Sequence, residues 1–100
     1  MDIKFDLGDY KFVWDSEKAK INKKKHKVIF DLAARVFLDD YRFDVYDEFH
    51  SDDEDRFKTI GRAGNILAVI YTERDDKTRI ISARQATKRE EVQYYEQFYY

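Results

Sequence analysis

The chain has 100 residues, 43% of them hydrophobic, 17% aromatic and 40% charged, with no cysteine and no proline. That length and apolar content suit one domain with a modest core, and the missing thiols exclude a disulfide framework or a thiolate metal site. The net charge of −2 conceals strong segregation: six lysines and one acid lie between Glu17 and Lys27, nine acids and one arginine between Asp39 and Asp55, and nine basic residues against four acids between Arg56 and Glu90. Two basic blocks that meet in space attract phosphate even on a net acidic protein; a well-solvated charged surface is the alternative reading. No run approaches membrane-spanning length, and Met1 to Trp14 alternates apolar and charged residues where a secretory leader would show a basic start and an apolar stretch. A soluble cytoplasmic protein without membrane contact is the expectation.

Ile3, Phe5 and Leu7 alternate with polar residues, Gly8-Asp9 offers turn chemistry, and Tyr10, Phe12 and Trp14 resume the alternation. This predicts a hairpin or one broken edge strand. Asp15 is a good N-cap for a helix over about 16–26, with Glu17 in the first turn where the macrodipole favours an acid. At 100° per residue, Lys18, Ile21, Asn22, Lys25 and Val28 fall on the side of Trp14, whereas Lys20, Lys23, Lys24 and Lys27 point away. Lysines on a packing stripe lay their stems on apolar neighbours and lead their ammonium groups to a rim. Phe30, Ala33, Ala34, Phe37 and Leu38 repeat as a second amphipathic helix ending near Asp39-Asp40.

Tyr41 to Tyr46 alternates as a half-buried strand, and Asp47 to Asp55 is an acidic loop. Arg56 to Ile60 reads as the next strand and Arg62 to Asn65 as its turn. Ile66 to Tyr71 is nearly all apolar, a central strand buried on both faces, and Arg74 to Lys77 turns the chain into a last strand from Thr78 to Arg84. Thr87-Lys88-Arg89-Glu90 is a capping box that opens a final helix, with Val92, Tyr95 and Tyr99 on its apolar side.

Two stretches carry the most specific signal. The first is Trp14-Asp15 followed by Lys18, Asn22, Lys25, His26, Phe30 and Ala33; the second is Arg79-Ile80-Ile81-Ser82-Ala83-Arg84 followed by Ala86, Arg89 and Glu90. Between them stand Arg56, Gly61 and the run Tyr71-Thr72-Glu73-Arg74. In this order the residues resemble the BrnT-type toxins of bacterial type II toxin–antitoxin pairs, over about residues 12–94. Residues 1 to about 10 form an N-terminal extension outside the resemblance. The resemblance implies an α+β, RelE-like fold: an antiparallel sheet of four to six strands with two N-terminal helices and one C-terminal helix. It also implies a metal-independent ribonuclease without cofactor that cuts single-stranded RNA, messenger RNA foremost, and inhibits growth. A BrnA-type antitoxin, itself a DNA-binding protein, is the implied partner in a hetero-oligomer. The family tends to carry glycine where Lys27 stands and a serine cap where Ile29 stands, so the turn between the first two helices must strain or differ.

Cleaving an RNA strand without a metal requires a base for the 2′-hydroxyl, a proton for the leaving oxygen, and fixed cations for the developing phosphorane charge. His26, Lys25, Arg56 and Arg84 are the expected catalytic set, because histidine exchanges protons near neutrality and arginine matches phosphate oxygens with a planar fork. Lys18, Lys24, Arg79 and Arg89 are expected to contact RNA. Strand alternation puts Arg84 with Ile80 and Ser82 and puts Arg79 with Ile81 and Ala83, so only one arginine faces a given cleft. Each nomination has a structural alternative: His26 complementing the helix C-terminus, Arg56 pairing with Glu54 or Asp55, and Arg84 pairing with a carboxylate such as Glu91. Asp52-Asp53-Glu54-Asp55 beside His50 reads as a solvated loop in preference to a cation site. Tyr94, Tyr95, Phe98, Tyr99 and Tyr100 read as helix core and a landing site for another chain in preference to a base-stacking platform. A catalytically silent domain that keeps the fold and binds antitoxin or RNA is the rival to the enzyme.

Overall fold

The chain opens with a hairpin. β1 (Asp2–Leu7) and β2 (Tyr10–Asp15) pair antiparallel around Gly8-Asp9, with Leu7 opposite Tyr10 and Phe5 opposite Phe12. Gly8 sits at φ +56°, where a side chain would strain the backbone. The computed structural model describes residues 1–51 and 53–99; Asp52 of the acidic loop and Tyr100 of the aromatic C-terminal run lie outside the described residues. After the hairpin come α1 (Ser16–His26), α2 (Phe30–Arg35) with a 3₁₀ turn over Val36–Leu38, and the strands β3 (Phe43–Tyr46), β4 (Phe57–Ala63), β5 (Asn65–Arg74) and β6 (Lys77–Gln85). α3 (Lys88–Glu96) follows, with a final 3₁₀ turn over Gln97–Tyr99.

The six strands form one sheet in the order β1-β2-β6-β5-β4-β3. This corrects two expectations. The sheet is mixed, because β2 and β6 run parallel, with Phe12 opposite Thr78 and Val13 opposite Arg79. The meander starts at the far edge with β3 and walks back, so β6 arrives beside β2 in the same direction. Nor are two helices N-terminal: two strands precede them, and the second is a six-residue segment that tightens into a 3₁₀ turn before Asp39. Among the described residues the fold is α+β, with a six-stranded mixed sheet and three helices. No helix among the described residues is long and apolar enough to cross a membrane.

The main core lies between one sheet face and α1 and α2, where Trp14, Phe30, Phe37, Tyr71 and Ile80 pack together. Phe37 meets both Phe12 and Tyr71 edge-on at ring separations of 5.2 and 5.0 Å, a favoured aromatic geometry. α3 covers part of the other face, where Tyr94 packs on Ile60, Ile66 and Ala68. The buried aromatic residue of the last helix is therefore Tyr94, one position off the expected stripe; Val92, Tyr95 and Tyr99 remain exposed. α1 follows the expected side only in part. Asn22 and Val28 are buried as expected and Ala19 packs on the core, while Lys18, Ile21 and Lys25 stand exposed.

Asn22 joins α1 to the sheet. Its carboxamide nitrogen donates to the carbonyls of Val28 (3.0 Å) and Ala83 (2.8 Å), and its oxygen accepts from the Ala83 N–H (3.0 Å). β2 pairs with β6 only through Phe12 and Val13, so beyond them Asn22 supplies the hydrogen bonds that a neighbouring strand would have given. Asp39 performs a similar service at the end of the 3₁₀ turn, accepting from the N–H groups of Tyr41 and Arg62 and from the Tyr94 hydroxyl. Burial pushes the Asp39 carboxyl up, but those three donors outweigh it and hold the group below the usual carboxylate range. Gly61 permits this close approach of helix and strand: a Cβ there would stand 2.7 Å from Val36 Cγ1 and 2.9 Å from Arg42 Cβ.

The turn between α1 and α2 carries the strain anticipated from the sequence. Lys27 adopts the left-handed conformation at φ 62°, ψ 26°, donating its N–H to the Lys23 carbonyl, and Ile29 caps α2 without a side-chain hydrogen bond. A non-glycine residue held there costs about 1 kcal/mol, and a serine cap contributes a similar amount. Lys27→Gly is therefore expected to raise the melting temperature by about 4–8 °C in a domain of this size, and adding Ile29→Ser to raise it further. Calorimetry of the two variants checks this; an unchanged or lower value for Lys27→Gly would show that the turn is unstrained.

Candidate functional site

The site begins with a bulge. Between Ile70/Ser82 and Tyr71/Ile80 the register of β5 and β6 slips by one, leaving Ile81 without a partner. Strict alternation therefore fails along β6. Ile80 and Ala83 both face the main core, opposite Tyr71 and Val69, while Arg79, Ser82 and Arg84 lie opposite Thr72, Ile70 and Ala68 and share the other face. This corrects the expectation that Arg79 and Arg84 point to opposite sides.

α3 covers only one end of that second face. The rest forms an open hollow of about 550 Å³, floored by Val45, Ile70 and Ile81, with Arg56, Lys58, Ser82 and Arg84 on its walls and the segment Tyr46–His50 along its rim. A volume of that size suits a small ligand or one unit of a longer one. Three cations line it, and the structure brings the expected Arg56 and Arg84 together there. Lys25 and His26 are not among its lining residues; they stand at the end of α1, Lys25 exposed and His26 half-buried, with exposed Lys18 and Lys24 on the same helix. Arg89 is exposed on α3. Arg79 is engaged by Asp2 of β1 at 2.7 and 3.3 Å, so a residue of the N-terminal hairpin holds this guanidinium, whose Nε is buried without a hydrogen-bond partner among the described residues.

Glu90 organises two of the three cations. Arg84 donates to both its oxygens, at 2.7 and 3.1 Å, and Lys58 Nζ lies 2.8 Å from one of them. The same carboxylate accepts from the Thr87 N–H at 2.8 Å while the Thr87 hydroxyl accepts from the Glu90 N–H, so the capping box that starts α3 also anchors the cations. Burial pushes the Glu90 carboxyl up, yet Arg84, Lys58 and the Thr87 N–H prevail and hold it down at about 2. The anchor is thus Glu90, one residue before the Glu91 suggested by the sequence.

The described residues between Asp47 and Asp55 are tied by hydrogen bonds. The Asp47 N–H donates to the Arg56 carbonyl at 2.9 Å; the Ser51 hydroxyl donates to the Asp47 carbonyl at 2.6 Å and accepts from the Arg56 N–H at 2.9 Å. Glu54 is gripped by Arg74 at 2.8 and 2.9 Å, and Asp55 accepts from the Tyr46 hydroxyl. Arg74, not Arg56, is therefore the ion-pair partner of Glu54. Sequence reasoning missed Lys58, Asp47 and His50 as members of the hollow. Lys58 shares a face with Ile60 by simple alternation and was legible; the loop residues are brought there by turns that no periodicity encodes.

A mixed six-stranded sheet, with helices on both faces and an open hollow bearing two arginines and a lysine, defines a small α+β protein with a cationic cleft on one sheet face. The chain belongs to the BrnT family: the model described as ribonuclease toxin, BrnT, of type II toxin–antitoxin system matches residues 14–90. Among solved structures it is similar to the ribonuclease toxin BrnT of Brucella abortus, with 25% sequence identity and a TM-score of 0.57, over 75% of this chain and 94% of that one. No protein of curated function matches the chain.

Proposed function

We propose that the chain is an endoribonuclease toxin that cuts single-stranded RNA, messenger RNA foremost, without a metal cofactor, in the bacterial cytoplasm. The observation that supports this best is the hollow itself, where Arg56, Lys58 and Arg84 converge on one open face. Guanidinium and ammonium groups fixed before substrate arrives stabilise the extra charge of a pentacovalent phosphorus without reorganising. Arg56 and Arg84 keep the catalytic part expected of them, Lys58 joins them, and Lys18, Lys24, Lys25 and Arg89 serve the flanking phosphates as exposed cations. A BrnA-type antitoxin would silence the enzyme by forming a hetero-oligomer over the hollow.

The test is purified protein with end-labelled single-stranded RNA in EDTA. Cleavage is expected, with Arg84→Ala slower by about 10²–10³-fold and relieving growth arrest in cells while its circular dichroism stays native. One observation favours the silent binding domain: Glu90 already neutralises much of the charge on Lys58 and Arg84. RNA left intact at every protein concentration would establish that second reading.

A further inference from the structure

The hollow holds three cations but needs a group that takes a proton, and the segment along its rim carries one. His50 lines the hollow together with Asp47, Glu48, Arg56, Lys58 and Arg84. Its Nδ1 lies 2.9 and 3.1 Å from the two carboxylate oxygens of Asp47. A carboxylate only accepts, so the hydrogen sits on Nδ1, and in the neutral ring the lone pair is on Nε2. His50 is exposed, whereas Asp47 is largely covered, with 16% of its side chain accessible. Asp47 is also fixed through its main chain to Arg56 and Ser51 at the neck of the loop. An oriented imidazole with an acidic partner behind it, beside cations that can seat a phosphate, is the arrangement of a general base.

Resting on the ribonuclease reading, we infer that His50 is the general base of this site and Asp47 its positioning residue. Nε2 removes the proton from the 2′-hydroxyl of the nucleotide seated in the hollow. The freed oxygen bonds to the adjacent phosphorus and the bond from phosphorus to the 5′-oxygen breaks. That oxygen takes a proton from water, and the imidazolium returns its own proton to the hydroxide left behind. The products are a 2′,3′-cyclic phosphate and a 5′-hydroxyl end. Asp47 faces the positive ring that exists between these transfers, and Arg56, Lys58 and Arg84 face the phosphorane oxygens.

Cleavage of a single-stranded RNA oligonucleotide by wild type, His50→Ala and Asp47→Asn tests the assignment. His50→Ala is expected to lower kcat by about 100-fold or more with KM little changed, and free imidazole in the buffer is expected to restore about a tenth or more of the lost rate. Asp47→Asn should lower kcat by about 10–100-fold, as loss of an orienting partner does. Should His50→Ala fail to fold, His50→Gln replaces it. Wild-type kcat in the histidine variant, a loss confined to KM, or a loss that imidazole does not relieve would each overturn the assignment. If wild type cleaves, Arg84→Ala does not and His50→Ala does, the base assignment alone falls; if wild type itself leaves the RNA intact, the ribonuclease reading falls and this inference with it.

Discussion

Asn22→Ala is expected to lower the free energy of unfolding by about 3–4 kcal/mol, a large part of the roughly 5–15 kcal/mol available to a small domain. The residue is 5% exposed, and its side chain uses both amide hydrogens and its oxygen on three main-chain groups. Truncation leaves the Ala83 N–H and the carbonyls of Ala83 and Val28 buried without partners, at about 1–3 kcal/mol each before relaxation or an entering water recovers part of it. Asn22→Asp should be as damaging despite its shape, because a carboxylate cannot donate to the two carbonyls. Urea titrations with an unchanged slope and a lowered midpoint are the expected record. A loss below about 1 kcal/mol would mean that the edge of β6 satisfies itself without α1. The site should feel the change, since Ala83 is the neighbour of Arg84 and the strand that aims the guanidinium would lose its outer support.

Local chemistry was legible in this sequence wherever one short segment decided the outcome. Asp15 caps α1 by accepting from the Lys18 N–H at 3.0 Å, Thr87 and Glu90 close their reciprocal box, and Gly8 turns the hairpin. What escaped was set between segments. The parallel pairing of β2 with β6 joins residues 66 positions apart, Phe12 with Thr78, and alternation within either strand does not say which edge its partner takes. The bulge at Ile81 inverts the facing of Arg79 relative to Arg84, and a stretch that reads as regular alternation gives no warning of it. On α1 the abundance of lysine flattens the apolar stripe, so Asn22 was read correctly as inward, but Ile21 was placed beside it and Ala19, which packs on the core, was not.

The candidate site divides in the same way. Arg56 and Arg84 were nominated as single residues, and the sheet brings them into one hollow because Ile70, Lys58 and Ser82 are cross-strand neighbours on its floor and walls. His26 was preferred to His50 because it stands among residues that carry the family resemblance, whereas His50 sat in a loop whose acidity suggested only solvation. Loop closure by Ser51 and the Asp47–Arg56 main-chain bond sets His50 at the rim of the hollow, which is what supports the proposal made for it. A hydrogen-bonding pair at spacing i, i+3, such as Asp47 with His50, is visible in a sequence, but nothing in the sequence says that it overlooks a cleft.

Glu90→Gln is expected to separate what the anchor does for stability from what it does for the cations. The Glu90 carboxyl is held at about 2 in the folded protein against an ordinary 4.5, so its contribution is fully present above about pH 4.5 and is lost as the pH falls toward 2. With 9% of the side chain accessible, the contribution at neutral pH is about 2–3 kcal/mol, somewhat under the full linkage value because Arg84 remains partly in water. Wild type should thus exceed the glutamine variant by that amount at pH 7, and the two curves should converge between about pH 4.5 and 2. Other depressed carboxyls, Asp39 among them, are common to both proteins and cancel in the difference. In the hollow the effects run in opposite directions. Removing the anion leaves Lys58 and Arg84 with more net charge, so RNA is held more tightly and with a steeper salt dependence; but Arg84 loses its two-pronged seat, so turnover should fall by about tenfold or more. Tighter binding with slower cleavage is the signature of an anchor that aims a cation. Weaker binding with unchanged turnover would instead show that Glu90 belongs to the architecture of α3 alone.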